Sequence, residues 1–139
     1  MLGATLRHQG FMTSDILIIS DDEPTNRLMQ IELNLEGYSV VFEQDSKTGF
    51  NTARTAKPKL VLLSEQAPGI PILELCHRLR SLSTTLKIIL LTNTQQINLS
   101  DLPIDDFLLS PLRMDELLLR IAINLRKLTP RKASVLTNL

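Results

Sequence analysis

Five short apolar runs, each followed by a stretch with helical spacing or a brief polar segment, predict an α/β fold. The expected architecture is a doubly wound, five-stranded parallel sheet covered by helices on both faces. The runs are Ile16–Ser20, Tyr38–Glu43, Leu60–Ser64, Lys87–Thr92 and Asp106–Leu109. A chain of 139 residues supports one core of this kind and would starve two.

Each element has its own local reason. Ile16–Ser20 is a β-branched apolar run, and the Pro24 that follows suits the first turn of a helix, where a missing N–H costs nothing. Leu28, Ile31 and Leu35 then fall on one helical stripe, which Gly37 ends. Tyr38–Glu43 alternates as a strand does. Ser46 is placed to cap a short helix reaching about Ala56, weakened by Gly49. Pro58 precedes the third strand. Ile72, Leu75, Cys76, Leu79 and Leu82 recur at helical spacing, so Cys76 is expected as a buried structural thiol. After Lys87–Thr92, the polar segment Asn93–Leu102 has room for one or two helical turns, a shortened fourth helix. Met114–Lys127 is the last helix, with Leu118, Ile121, Ala122 and Leu125 inward. Its first turn carries Asp115 and Glu116 and its last Arg126 and Lys127, both favourable to the helix dipole.

Composition narrows the function classes. With 43% hydrophobic and 22% charged residues the chain is not a disordered tail. Its longest apolar runs, Leu60–Leu63 and Ile88–Leu91, are far below the ~20 residues that cross a bilayer. Nothing at the start reads as a secretory signal, and a single cysteine fits a reducing cytoplasm. Fifteen basic residues balance fifteen acidic ones, but Arg126, Lys127, Arg131 and Lys132 sit together with no acid. The rest of the chain is therefore acidic and a poor binder of phosphate backbones.

In open parallel sheets the functional crevice lies at the carboxyl ends of the strands, near the point where strand order reverses. That rule singles out Asp21, Asp22, Ser64, Thr92, Ser110 and Pro111. A nucleotide or flavin site is disfavoured there: no GxGxxG or GxxxxGK occurs, and Asp21-Asp22-Glu23 would repel phosphate.

Four segments in register carry a resemblance. They are Ile-Leu-Ile-Ile-Ser-Asp-Asp-Glu-Pro at 16–24, Pro-Lys-Leu-Val-Leu-Leu at 58–63 with Ala-Pro-Gly at 67–69, Ile-Ile-Leu-Leu-Thr at 88–92, and Asp-Asp-Phe-Leu-Leu-Ser-Pro-Leu at 105–112. Together they resemble the receiver domain of bacterial two-component response regulators, which implies a flavodoxin/CheY-like topology over residues 15–128. Residues 1–14 then form an N-terminal tail and 129–139 a C-terminal linker.

In that family an acidic pair after strand 1 holds Mg²⁺ beside an Asp that ends strand 3 and accepts a phosphoryl group from a histidine kinase. A Thr or Ser ending strand 4 binds the phosphoryl oxygens, and a Lys before a Pro after strand 5 neutralises them. By position, Asp21 and Asp22 match the acidic pair, Thr92 the hydroxyl and Phe107 the switch aromatic. Two positions depart: Ser64 stands where the phosphoacceptor Asp belongs, and Ser110 where the Lys belongs.

Phosphoryl transfer to a side chain needs an ionised carboxylate in line with phosphorus and cations to spread the developing charge. Ser64 is a neutral hydroxyl with no His or base beside it in sequence. Losing the Asp and the Lys together leaves neither charge stranded. The resulting expectation is an Asp-less pseudo-receiver, not an enzyme, working without aspartyl phosphorylation. Its only cofactor would be weak Mg²⁺ at Asp21 and Asp22, with Glu65 helping, unless that pair simply caps the helix at Pro24.

Leu125–Leu139 resembles the basic linker that leads into a winged-helix DNA-binding domain in OmpR/PhoB-like transcription factors. The implied role is transcription regulation in the cytoplasm through a homodimer or a protein partner. DNA would be reached only through a domain beyond this chain, and no membrane is involved. Dimerisation in that subfamily uses charged positions matched here by Asp106, Glu116 and Arg120, with Lys127 near another, and Asp106 would meet Arg120 across the two-fold axis. The alternative is a pseudo-receiver scaffold of a kinase or clock protein that binds a protein or small molecule.

Overall fold

Ile16, Leu17, Ile18 and Ile19 are all fully buried, as are Leu60–Leu63, because the central strands of a parallel sheet have no solvent face. The structure, a computed structural model, describes residues 13–93 and 98–126. Its elements are β1 (Ile16–Ile19), α1 (Glu23–Leu35), β2 (Val40–Glu43), α2 (Ser46–Ala56), β3 (Leu60–Ser64), α3 (Ile72–Leu82), β4 (Lys87–Thr92), a 3₁₀ turn (Leu99–Asp101), β5 (Asp106–Leu109) and α4 (Met114–Asn124). All neighbouring strands are parallel, in the order β2-β1-β3-β4-β5. Ile19 lies opposite Leu63, Ser64 opposite Leu91, and Thr92 opposite Leu109, so the carboxyl ends of β1, β3, β4 and β5 share one edge.

Alternate strand residues feed two cores. Leu17, Ile19, Val61, Leu63, Ile88 and Leu90 pack with Ala53 of α2 and Leu75, Cys76 and Leu79 of α3. Ile16, Ile18, Leu60, Leu62, Ile89 and Leu108 pack with Met29 and Leu33 of α1 and Leu117 and Ile121 of α4. Gly49 explains itself here: a Cβ on it would come within 2.7 Å of Ile19 Cγ1, so α2 can lie close on the sheet only without a side chain at that point.

Several local expectations need correcting. The stripe Leu28, Ile31 and Leu35 does not face the sheet; it is exposed, and Asn26, Met29 and Leu33 are buried instead. Both triplets have helical spacing, and a polar contact decides between them: Asn26 Nδ2 donates to the Ser20 carbonyl at 2.7 Å, fixing the rotation of α1. Asp45, not Ser46, caps α2, its carboxylate accepting from Thr48 N at 2.8 Å and Thr48 Oγ1 at 3.0 Å. Ser46 is buried and bonds across to the Pro68–Ile70 loop, donating to the Pro68 carbonyl at 3.0 Å.

Further along, the segment expected to hold a shortened fourth helix falls partly on residues 94–97, outside the described residues; its described part carries a 3₁₀ turn at Leu99–Asp101. The last helix stops at Asn124 because Arg126 takes a left-handed φ of 58°; Lys127 lies outside the described residues. Ile121 is fully buried as expected, Leu117 joins it, and Leu118, Ala122 and Leu125 are half-buried. Both tails lie outside the described residues apart from Thr13 and Ser14. Among the described residues no helix is long and apolar enough to cross a membrane.

Candidate functional site at the carboxyl edge of the sheet

The carboxyl edge bounds a polar cavity of about 260 Å³ whose walls include Asp21, Asp22, Ser64, Glu65, Thr92 and Ser110. The sheet thus brings together five of the site positions picked out in the sequence. No Lys or Arg among the described residues lines it.

The acidic pair divides its work. Asp22 is the N-cap of α1, accepting from Thr25 N at 3.2 Å and from Thr25 Oγ1 at 2.7 Å. Pro24 in the first turn removes an N–H that would otherwise need a partner. Asp21 is exposed, and its carboxylate accepts no hydrogen bond among the described residues.

Ser64 ends β3 half-buried. Its Oγ accepts from Gln66 N at 3.3 Å, an ordinary turn contact. Glu65, expected to help the acidic pair, lines the same cavity but is bonded to the end of β4. Its backbone N donates to the Leu91 carbonyl at 3.0 Å, which carries the side chain onto the end of β4. There Glu65 Oε1 accepts from the Thr92 hydroxyl and from Asn93 N at 3.1 Å. Gln66 Nε2 reinforces the same junction by donating to Asn93 Oδ1 at 2.9 Å.

Thr92 is 2% exposed, a buried hydroxyl whose donor is satisfied by a carboxylate. Ser110 is exposed and holds β5 to β4 through its N–H, which donates to the Thr92 carbonyl at 2.9 Å. Its side chain brings no positive charge to the edge.

Mg²⁺ draws on near-octahedral oxygens and usually one or two carboxylates, and Asp21 offers one with no hydrogen-bond partner among the described residues. Asp22 is committed to its cap and Glu65 to β4. Among the described residues no three His, Cys, Asp or Glu side chains converge as a metal site.

The remaining predicted positions lie on β5 and α4. Phe107 is 41% exposed. Asp106 and Arg120 pair within one chain, at 3.7 Å, and Asn124 Nδ2 donates to Asp106 at 3.0 Å. The Glu116 carboxylate has no partner among the described residues.

Two residues that hold the amino side of this face escaped the sequence reading. Asp105 accepts from Ile88 N at 2.8 Å and pairs with Arg80 at 2.9 Å, and Arg80 also reaches the Pro103 carbonyl at 2.9 Å. This clip holds the start of β5 to β4.

Comparison with known proteins agrees with this layout. Residues 16–122 match the response regulator receiver domain family. The chain belongs to that family.

Among curated relatives, the receiver is 36% identical over 116 residues to the uncharacterized transcriptional regulatory protein YkoG of Bacillus subtilis, covering 81% of this chain and 51% of that protein. It is 32% identical over 119 residues to the response regulator MprA of Mycolicibacterium vanbaalenii, covering 83% and 52%. The chain therefore spans about half the length of the curated relatives it matches. In fold it superposes on a two-component response regulator from Clostridium difficile with a TM-score of 0.74 at 22% identity, covering 82% of this chain and 97% of that one. A CheY-like receiver domain protein from Methanospirillum hungatei gives 0.75 at 22% identity, covering 83% and 95%. The CheY-like α/β fold is thus shown, with four α-helices around the five strands among the described residues.

Proposed function

We propose that this receiver regulates transcription without aspartyl phosphorylation, as an Asp-less pseudo-receiver of an OmpR/PhoB-like regulator in the cytoplasm. One observation carries the reading. The residue ending β3 at the carboxyl edge is a serine in a turn contact, in a cavity whose described lining contains no Lys or Arg. A hydroxyl with no base beside it is a weak nucleophile, and no cation offsets the charge a phosphoryl group would bring. Signal transduction then runs through a homodimer or a protein partner. Metal at Asp21 and Asp22 is weak at most, Phe107 keeps the position of the switch aromatic, and DNA is contacted through another domain.

The relative named as a transcriptional regulatory protein, and the half of the curated relatives' length that this chain spans, support the regulatory part of the reading. The test is a Ser64→Ala strain, followed by the transcripts that change when the gene is deleted. Unchanged transcripts are expected. Transcripts that shift to the deletion pattern while the protein remains folded and abundant would overturn the proposal.

A further inference from the structure

The Thr92 hydroxyl and the Asn93 N–H point at a single oxygen, Glu65 Oε1. Two donors converging on one point at the edge of a buried sheet form an oxyanion site, since hydrogen bonds to a charged acceptor are about twice as strong as neutral ones. The site is built rather than incidental. Thr92 is almost fully buried, the Asn93 side chain is held by Gln66, and the backbone of Glu65 is pinned to Leu91. Across the cavity stand Asp21 and Asp22, which favour drawing the Glu65 carboxylate away from them and onto the donors.

We infer that the end of β4 is a carboxylate-binding site whose resident ligand is the chain's own Glu65. The site is filled in cis and closed to small free carboxylates. It ties the end of β3 to the end of β4 with no covalent modification, so the conformation of this edge is set by the sequence. This deepens the phosphorylation-independent reading and rests on it: with Ser64 unmodified, Glu65 meets no competing anion.

The test uses formate as the probe, because it reproduces the missing carboxylate without its chain. Formate is titrated into ¹⁵N-labelled wild type and Glu65→Ala, with the Asn93 amide as reporter. A tethered carboxylate outcompetes a free one by effective concentration, so the variant is expected to respond saturably at formate levels roughly tenfold or more below any wild-type response. Adding Thr92→Val to Glu65→Ala is expected to abolish the response.

Wild type responding as readily as Glu65→Ala would overturn cis occupancy. A folded Glu65→Ala with no saturable response would overturn the site itself. Should Glu65→Ala not fold, Glu65→Gln supplies the readout. Its Asn93 amide proton is expected upfield of wild type and faster to exchange, and an unmoved proton would overturn the assignment. A covalent phosphoryl adduct on the wild type would instead defeat the phosphorylation-independent reading while leaving the formate result standing.

Discussion

Cys76 is fully buried on α3 among Leu75, Leu79 and the strands. Burial pushes its thiol up to about 11, with Arg80 drawing it back only partly. The thiolate fraction at neutral pH is therefore very small, and the thiol is inert while the domain is folded. Alkylation by a thiol reagent at pH 8 is expected to proceed only as fast as the domain opens, and to become rapid in denaturant. Fast labelling of the folded protein would contradict this.

Asp45 gives a second residue-scale prediction. The Thr48 N–H and hydroxyl that it caps hold its carboxyl below the usual range. A lowered carboxylate stabilises the fold above its unfolded value, about 3.9, and that contribution is lost as pH falls through the folded value. Asp115 shifts in the same direction, through the Glu116 N–H and Arg113. The stability gap between wild type and Asp45→Asn, read as a urea midpoint, is expected to be full above about pH 5 and to close toward about pH 2. A gap independent of pH would be wrong for this cap. Asp22 shows that a cap is legible in sequence once Pro24 marks the helix start. Glu65 shows the opposite, because a side chain that crosses to another strand is set by a register that local pattern does not contain.

At the scale of elements, the helix that misled sequence reasoning is α1. Leu28, Ile31 and Leu35 are 49%, 57% and 75% exposed, whereas Met29 and Leu33 are fully buried. Spacing alone allowed either face inward; the Asn26 bond to the Ser20 carbonyl chose. Leu33→Ala is accordingly expected to cost about 2–5 kcal/mol, and Leu35→Ala about 0.5 kcal/mol or less, by denaturant unfolding. Equal costs would mean that the rotation of α1 is otherwise. The central strands, by contrast, were readable because unbroken apolar runs such as Leu60–Leu63 suit only a sheet buried on both sides. The Arg80–Asp105 clip at the start of β5 was not readable, because it joins residues 25 apart in sequence.

At the scale of the whole molecule, strand order and two-sided packing bring Asp21, Asp22, Ser64, Thr92 and Ser110 to one edge, as a receiver requires. The family was legible in the four segments. What those segments could not show was how the side chains at this edge are bonded. Glu65 now occupies the donors of β4, Asp22 caps α1, and Asp106 pairs internally with Arg120. The central claim is that this edge accepts no phosphoryl group. Incubation of the purified domain with acetyl phosphate and Mg²⁺, read as intact mass, tests it most directly. The account predicts an unchanged mass; an adduct labile to hydroxylamine, and so carried by Asp21, Asp22 or Glu65, would contradict it.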